Sequence, residues 1–449
     1  MDLSEYQSIP ETQSTPDPAQ HRVVIIGAGA GGLHLAAKLG QRYGKTGRAI
    51  ITLIDPARIH VWKPLLHEVA AGAFNAETDA VELIAHAKLR HYRYRIGKMV
   101  GLDRAKRRVF IAASHDADGT QITPPRVFGY DTLVIAVGSR SNDFGTPGVA
   151  EHAITLDTLE QAERFNRLMV DNWLRASAQS GPLLPGQLTC VIVGAGATGV
   201  ELAAELHKST HEFASYNMDD DINLEKRVRI ELVEAGPRIL LALPEDLATD
   251  TATELRRLGI VIRTGTAVAS ASADGITMTG GEFIPAEMTV WAAGIKAPDY
   301  LATFDGLAVD RINRLMVTPM LQTTVDPNVF AIGDCAHCKL EGVKGPLPAR
   351  AQTAQQQADH MVKTITRRLE NKPPEPFVYH DRGSLVALSS YRTFGVILRG
   401  RRLEGWLAAM AYKSLYQMHL LALFGPWRVA VKWLAGRLTR HTEPAIKVH

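Results

Sequence analysis

The chain has 449 residues and a formal net charge of only +3. That length allows two or three domains with real cores, and the weak charge excludes the body-wide basic field of a nucleic-acid binder. Three cysteines exclude a disulfide framework and suit a reducing compartment.

Residues 1–20 are polar and acidic with three prolines. They lack the apolar core of a secretory signal and are expected to form a disordered tail. From Arg22 to Asp55 the chain reads apolar strand, glycine-rich turn, helix, and a second strand ending in an acid. The run VVII fits a parallel strand buried on both faces. KRRVFIAAS and FGYDTLVIAVGSR then read as strands returning to the same sheet, the latter ending at a turn on Gly138. The opening theme recurs over Leu188–Glu234, with CVIV as strand and Glu234 as terminal acid. GEFIPAEMTVWAAGIKAP ends at a second glycine turn, on Gly294. Beyond it come the strand of NVFAIGDCAH, a helix over Ala349–Glu370, a proline linker NKPPEPF, and a strand pair SLVALSSYRTFGVILRG. Two helices are predicted over Leu403–Arg440.

The repeated theme predicts an α/β fold with two dinucleotide-binding, Rossmann-like domains, the second inserted in the first. In Gly27-Ala28-Gly29-Ala30-Gly31-Gly32, Gly27 permits the tight turn, Gly29 lets the backbone approach a pyrophosphate, and Gly32 lets the helix pack on the strand. The helix N-terminus then favours the negative charge. Asp55 can accept from ribose hydroxyls. Gly194, Gly196, Gly199 and Glu234 repeat the device. A lone turn of this kind is commonly just a turn; two copies in matching context point to two nucleotides. Asp334, in Ala331-Ile332-Gly333-Asp334, follows a late apolar strand. It is either a helix N-cap or a bond to the ribityl chain of a flavin. With the rest of the pattern, the flavin reading places FAD on the first turn and NADH on the second.

These residues together resemble the two-dinucleotide flavoprotein reductases, and among them the type II NADH dehydrogenases, single-subunit NADH:quinone oxidoreductases. The resemblance spans about residues 21–440. It implies non-covalent FAD, NADH as substrate and a membrane quinone as acceptor, without proton pumping. It places Trp62–Gly72, with Lys63, beside the flavin, and Glu201 of Thr198-Gly199-Val200-Glu201 near the nicotinamide–flavin junction. It likens Ala351–Gln357 to a quinone-site helix, on which Gln352 and Gln355 share one face. Some members carry His where this chain has Gln355. The competing readings are a solvated polar face for the glutamines, and dipole-complementing charge for Glu201. Cys335 and Cys338 read as incidental small residues, since no further metal ligands lie at suitable spacing; no metal is expected.

From Arg401 onward there are eight Lys/Arg against two acids. Trp427, Val431, Leu434 and Leu438 form one apolar stripe, with Arg428, Lys432, Arg437 and Arg440 off it. This segment is expected to be an amphipathic membrane anchor lying in the interface, since a spanning helix would bury Lys413. The expected domains are a tail at 1–20, an FAD domain at 21–150 and 300–380, an NADH domain at 151–299 and an anchoring region at 381–449. The enzyme is expected on the cytoplasmic face of the inner (cell) membrane, with a homodimer admissible. Sulfide:quinone oxidoreductase, electron-carrier reductase and a flavoprotein redox sensor are the alternative functions.

Overall fold

The computed structural model describes residues 4–12, 20–116, 118–216, 224–343, 345–397 and 401–439. The chain divides into two compact units, Met1–Trp62 with Ala80–Arg140 and Ile295–His380, and Lys63–Asp79 with Ser141–Gly294 and Asp381–His449. The stretch 141–294 therefore interrupts the first unit in sequence. Two boundaries differ from expectation. Lys63–Asp79, assigned by sequence to the first domain, groups with the second unit, and so does the C-terminal region.

The first unit is built on a five-stranded parallel sheet, in the order Val329–Ala331, Thr132–Ile135, His21–Ile26, Ala49–Asp55, Arg93–Ile96. The opening strand is thus central. Val23, Val24, Ile25 and Ile26 are all buried, as a run without polar alternation requires in a sheet covered on both faces. A three-stranded antiparallel sheet, Arg126–Gly129, Arg108–Ile111 and Met99–Asp103, accompanies it. The helix Ala351–Leu369 lies against the helix Gly32–Leu39, pinned by Asp359, whose carboxylate accepts from His34 Nε2 at 2.7 Å and Lys38 Nζ at 2.5 Å.

The second unit repeats the plan. Its parallel sheet runs Ile154–Thr155, Met288–Trp291, Thr189–Val193, Arg229–Glu234, Val261–Thr264, again with the glycine-turn strand central. Its antiparallel sheet is Val268–Ser272, Gly275–Met278 and Phe283–Pro285. The C-terminal part of this unit holds a three-stranded antiparallel sheet, Gly383–Leu388, Arg392–Ile397 and Arg401–Glu404. The third strand occupies residues expected to start a helix; Arg402 is fastened there by Asp246, Asp250 and Glu404. The helices Gly405–Phe424 and Pro426–Thr439 follow, broken at Gly425 with φ +79°.

Two sequence expectations are corrected. The N-terminal segment is not a structureless tail where it is described. Ser4–Gln7 is helical, Tyr6 is 2% exposed against Phe110 at 5.4 Å, and Thr12 N–H donates to Val127 O at 2.8 Å. One buried aromatic ring offsets the ordering of a short polar stretch. The proline-rich stretch is not a free linker either, because Phe377 is buried and its N–H donates to Pro319 O at 2.8 Å. Tyr6→Ala is expected to lower stability by about 3 kcal/mol, the usual cost of deleting a buried ring. Thermal denaturation checks this, and an unchanged midpoint would return the segment to tail status.

Candidate nucleotide sites and a buried acid cluster

Each glycine turn is held by the same contacts. In the first unit, Gly27 N–H donates to Ile54 O at 2.8 Å and Ala136 N–H to Ile26 O at 2.7 Å, so both flanking strands grip the end of the central one. Asp55 closes the turn: Oδ2 accepts from Ala28 N–H at 2.6 Å and Oδ1 from Ala57 N–H at 2.8 Å. In the second unit, Gly194 N–H donates to Val233 O at 2.7 Å and Ala292 N–H to Val193 O at 2.8 Å. Glu234 Oε2 accepts from Ala195 N–H and Oε1 from Gly236 N–H, each at 2.8 Å. The acids therefore brace the turns, both oxygens of each carboxylate accepting from backbone N–H groups. A carboxylate oxygen can accept more than one hydrogen bond, including one from a ribose hydroxyl.

The three glycines of each turn divide by what surrounds them. A Cβ on Gly27 would lie 2.4 Å from Ala136 O, and one on Gly32 1.9 Å from Gly27 O. In the second turn a Cβ on Gly194 would lie 2.6 Å from Ala293 N, and one on Gly199 1.9 Å from Gly194 O. These four are demanded by the protein's own backbone. The middle glycines are not: a Cβ on Gly29 would meet only Ala136 O, at 4.0 Å, and one on Gly196 nothing within 4 Å. Both are exposed. Space that no protein atom claims, at the mouth of a helix N-terminus, fits a pyrophosphate. Gly31, in the same loop, meets Ala354 O at 3.2 Å and so admits the helix Ala351–Leu369.

Asp334 lies in the short helical turn Gly333–Cys335, and its Oδ2 accepts from Ser139 Oγ at 2.8 Å. Ser139 follows Gly138, which has φ +72° and nothing within 4 Å of a would-be Cβ. Gly138, Ser139 and Asp334 thus meet at the ends of neighbouring strands, in the unit of the first glycine turn. Gln357, buried at 1% exposure, accepts Gly333 N–H at 2.6 Å and fixes this turn. Its role was missed by reading the glutamine run as solvated, although Gln357 falls in the apolar stripe of Ala354, Ala358 and Met361. Cys335 and Cys338 are fully buried free thiols, pushed up by burial to about 12 and about 11. A thiolate is disfavoured at both, which supports the incidental reading.

Glu201, in the first turns of the helix Ala197–Ala214, is 7% exposed. Its Oε1 accepts from Ala387 N–H at 3.0 Å, and the Tyr412 hydroxyl also bonds it. Burial, with Glu68 and Glu205 adding to it, pushes Glu201 up to about 8 despite those hydrogen bonds. Burial likewise raises Glu68 to about 7. His67 Nδ1 is 4.0 Å from Glu201 Oε2, and burial lowers the imidazole to about 4, so it stays neutral. A solvated dipole complement would show none of this. The carboxyl of Glu201 holds a proton near neutrality and can exchange it. Sequence reasoning singled out Glu201 but not Glu68, Glu205 or Tyr412; only packing joins them.

Residues 21–358 match the pyridine nucleotide-disulphide oxidoreductase family. A type II NADH:quinone oxidoreductase of Haemophilus influenzae is 38% identical over 448 residues, which cover 95% of this chain and 99% of the relative. The chain belongs to the type II NADH:quinone oxidoreductase family. A second member, from Mycobacterium tuberculosis, is 30% identical, covering 94% of this chain and 90% of that one. Among solved structures, NDH2 from Plasmodium falciparum in complex with NADH superposes with a TM-score of 0.80 at 17% identity, covering 95% of this chain and all of that one. The sulfide:quinone oxidoreductase of Aquifex aeolicus does so at 0.68 and 17%. These two show the shared fold.

The remaining site residues of this type II oxidoreductase are less uniform. Lys63 lies in the second unit, with Nζ 2.9 Å from Asp157 Oδ1. Gly294 keeps its positive φ of +61°, but the Phe144 ring covers it at 2.3 Å from a would-be Cβ, so its α-carbon faces protein. Gln352 and Gln355 are half-buried in the first turns of Ala351–Leu369, whereas Gln356 bonds His380 through both amide and carbonyl. Among the described residues no group of three or more His, Cys, Asp or Glu is arranged to hold a metal.

The glycine geometry separates binding from folding. Gly29→Ala is expected to keep the melting temperature within about two degrees and to weaken flavin retention; Gly196→Ala should do the same for NADH. Gly32→Ala and Gly199→Ala should cost about 1–3 kcal/mol of stability, the usual price of overpacking. Thermal melts and nucleotide titration of the four variants check this. Equal destabilisation by all four would deny the middle glycines a ligand-facing role.

Proposed function

We propose that the chain oxidises NADH through non-covalent FAD and delivers two electrons to a membrane quinone from the cytoplasmic membrane face, without pumping protons. The observation that carries this reading is the near full-length likeness to the Haemophilus influenzae enzyme in a chain with two intact nucleotide turns. In this reading Gly27, Gly29, Gly32, Asp55, Gly138, Ser139 and Asp334 hold FAD, and Gly194, Gly196, Gly199 and Glu234 hold NADH. FAD, when bound, accepts hydride from NADH and passes electrons to the quinone. The protein's own part is to orient both nucleotides and to keep a proton at Glu201. Gln352 and Gln355 offer amide donors to a quinone carbonyl.

Sulfide chemistry is disfavoured because all three cysteines are buried. Preference for NADH over NADPH follows from Glu234, whose charge opposes a 2′-phosphate. Arg238, the first cation after Glu234 in sequence, is already committed to the carbonyls of Ile239, Leu240, Leu241 and Leu243. Purified FAD-loaded protein should oxidise NADH rapidly only when a short-chain quinone is added. NADPH should be at least about tenfold slower, a difference of about 1.4 kcal/mol in barrier. Flavin bleaching by NADH with no acceleration by any quinone would refute the assignment.

The membrane reading rests on an apolar surface left open at the C-terminus. Trp427, Val431, Leu434 and Leu438 are 79%, 51%, 55% and 74% exposed, and Trp406 and Trp433 are also exposed. Apolar area of this kind favours a lipid interface. No helix among the described residues is long and apolar enough to cross a membrane. Lys413 is exposed, in keeping with a surface position. One expected headgroup contact is corrected: Lys432 pairs with Asp79 at 3.3 Å. Arg428 is exposed, while the side chain of Arg437 and the whole of Arg440 lie outside the described residues. Deleting Trp427–His449 should release the protein from membranes and slow turnover with long-tailed quinones, with flavin reduction by NADH retained. Truncated protein that stays on salt-washed membranes would place the anchor elsewhere.

A further inference from the structure

The helix Ala197–Ala214 carries Glu201, Glu205, Lys208 and Glu212 at i, i+4, i+7 and i+11, so the four share one face. The stripe runs from dry to wet. Glu201 and Glu205 are 7% and 5% exposed, whereas the side chains of Lys208 and Glu212 are 27% and 26% exposed. Lys208 Nζ bridges the middle of the stripe, 3.4 Å from Glu205 Oε1 and 3.6 Å from Glu212 Oε1. The inner end meets groups from other elements. His67 and Glu68 come from the helix Leu66–Ala70, Tyr391 from the turn after Gly383–Leu388, and Tyr412 and Lys413 from the helix Gly405–Phe424. Of these, His67 is held neutral and Tyr412 is pushed above the ordinary phenol range by burial beside Glu201, so neither brings an acidic proton at neutral pH.

The reaction stoichiometry requires a proton from solvent. NADH supplies two electrons and one proton, a quinol takes up two of each, and every turnover therefore draws one proton from water. A Glu201 that gives a proton to the quinone must be reloaded, yet its side chain is only 9% exposed.

We propose that Glu205 is the relay carboxyl that carries this proton from the wet Lys208–Glu212 end of the helix face to Glu201. Between turnovers the Glu205 carboxylate is paired with the Lys208 ammonium, which makes a buried negative charge tolerable. An incoming proton bonds to a Glu205 oxygen and releases that ion pair. The same O–H bond then breaks as the proton passes to the Glu201 carboxylate, and Glu205 re-pairs with Lys208. One proton enters, one is delivered, and no charge accumulates. The inference rests on the NADH:quinone reading. It adds to that reading a route and a residue that acts through Glu201 without touching the substrate.

The test uses the full-length, FAD-loaded enzyme. Glu205→Gln should leave stopped-flow reduction of the flavin by NADH within about twofold of the parent. Quinone-dependent turnover at pH 8 should fall by about tenfold or more, with a smaller loss at pH 6 and an enlarged solvent isotope effect. Millimolar formate or azide, small acids able to bypass the missing carboxyl, should restore much of the rate. Rescue distinguishes a relay from the loss of a charge beside Glu201, which no added acid would repair. Glu205→Asp, which keeps the charge opposite Lys208, serves if the glutamine variant folds poorly; it should give an intermediate rate with the same rescue. Turnover and pH profile equal to the parent, loss without rescue, or equal loss in both half-reactions would overturn the relay. If the parent itself shows flavin bleaching but no quinone turnover, the functional reading fails and the relay with it; a quinone-active parent with an unimpaired Glu205→Gln variant sinks the relay alone.

Discussion

The structure depends on one contact made twice: a carboxylate at the end of a strand accepts the backbone N–H of the alanine after the first glycine of the neighbouring turn. Asp55 does this for Ala28, and Glu234 for Ala195. A charged acceptor strengthens such a bond relative to a neutral one. It locks the turn against the next strand, and the second oxygen ties the loop beyond, at Ala57 or Gly236. The helix N-terminus is thereby aimed at a fixed point above the sheet. A ribose hydroxyl bonding the same acid meets a carboxylate already oriented, so little ordering remains to be done on binding.

The helix that leaves the second glycine turn, Ala197–Ala214, carries its carboxyls on one face. Its residue Glu201 is buried by elements far away in sequence: Ala387 supplies the N–H and Tyr412 the hydroxyl. The C-terminal segment therefore does more than present an apolar surface. It walls off Glu201 from water, and that desolvation keeps a proton on the carboxyl near neutrality.

Much of this was legible in the residues. The duplicated strand–turn–helix–strand–acid theme announced two parallel sheets, because a parallel strand covered on both faces is largely apolar and the tight turn after it needs glycine. The resemblance to the type II NADH dehydrogenases likewise picked out Glu201. Other features were not legible. Tyr6 sits in a polar, proline-containing stretch, and its burial depends on a cleft formed by Phe110 and Val127. Arg401–Glu404 pairs as a strand because the edge of Arg392–Ile397 is there to receive it, not because of its own composition. Lys63–Asp79 follows the first domain in sequence yet packs with the second unit, a choice made by contacts such as Asn166 Nδ2 to Ala70 O and Ser209 Oγ to Ala71 O.

The sequence by itself determined the two nucleotide turns, since their geometry rests on local backbone sterics: Gly27, Gly32, Gly194 and Gly199 are where any Cβ would strike the turn's own neighbours. It also placed the ionisable side chains Glu201, Glu205, Lys208 and Glu212 on one common helix face, which follows from spacing alone. Only the tertiary structure decided which of those groups are dry. Burial arises from what packs over a side chain, and here the covering residues lie more than a hundred positions away. For the same reason the glutamine run divided three ways: Gln357 went to the core, Gln356 to His380, and Gln352 and Gln355 to the half-buried face. Periodicity ranks such positions, but the neighbouring turn at Gly333 chose among them.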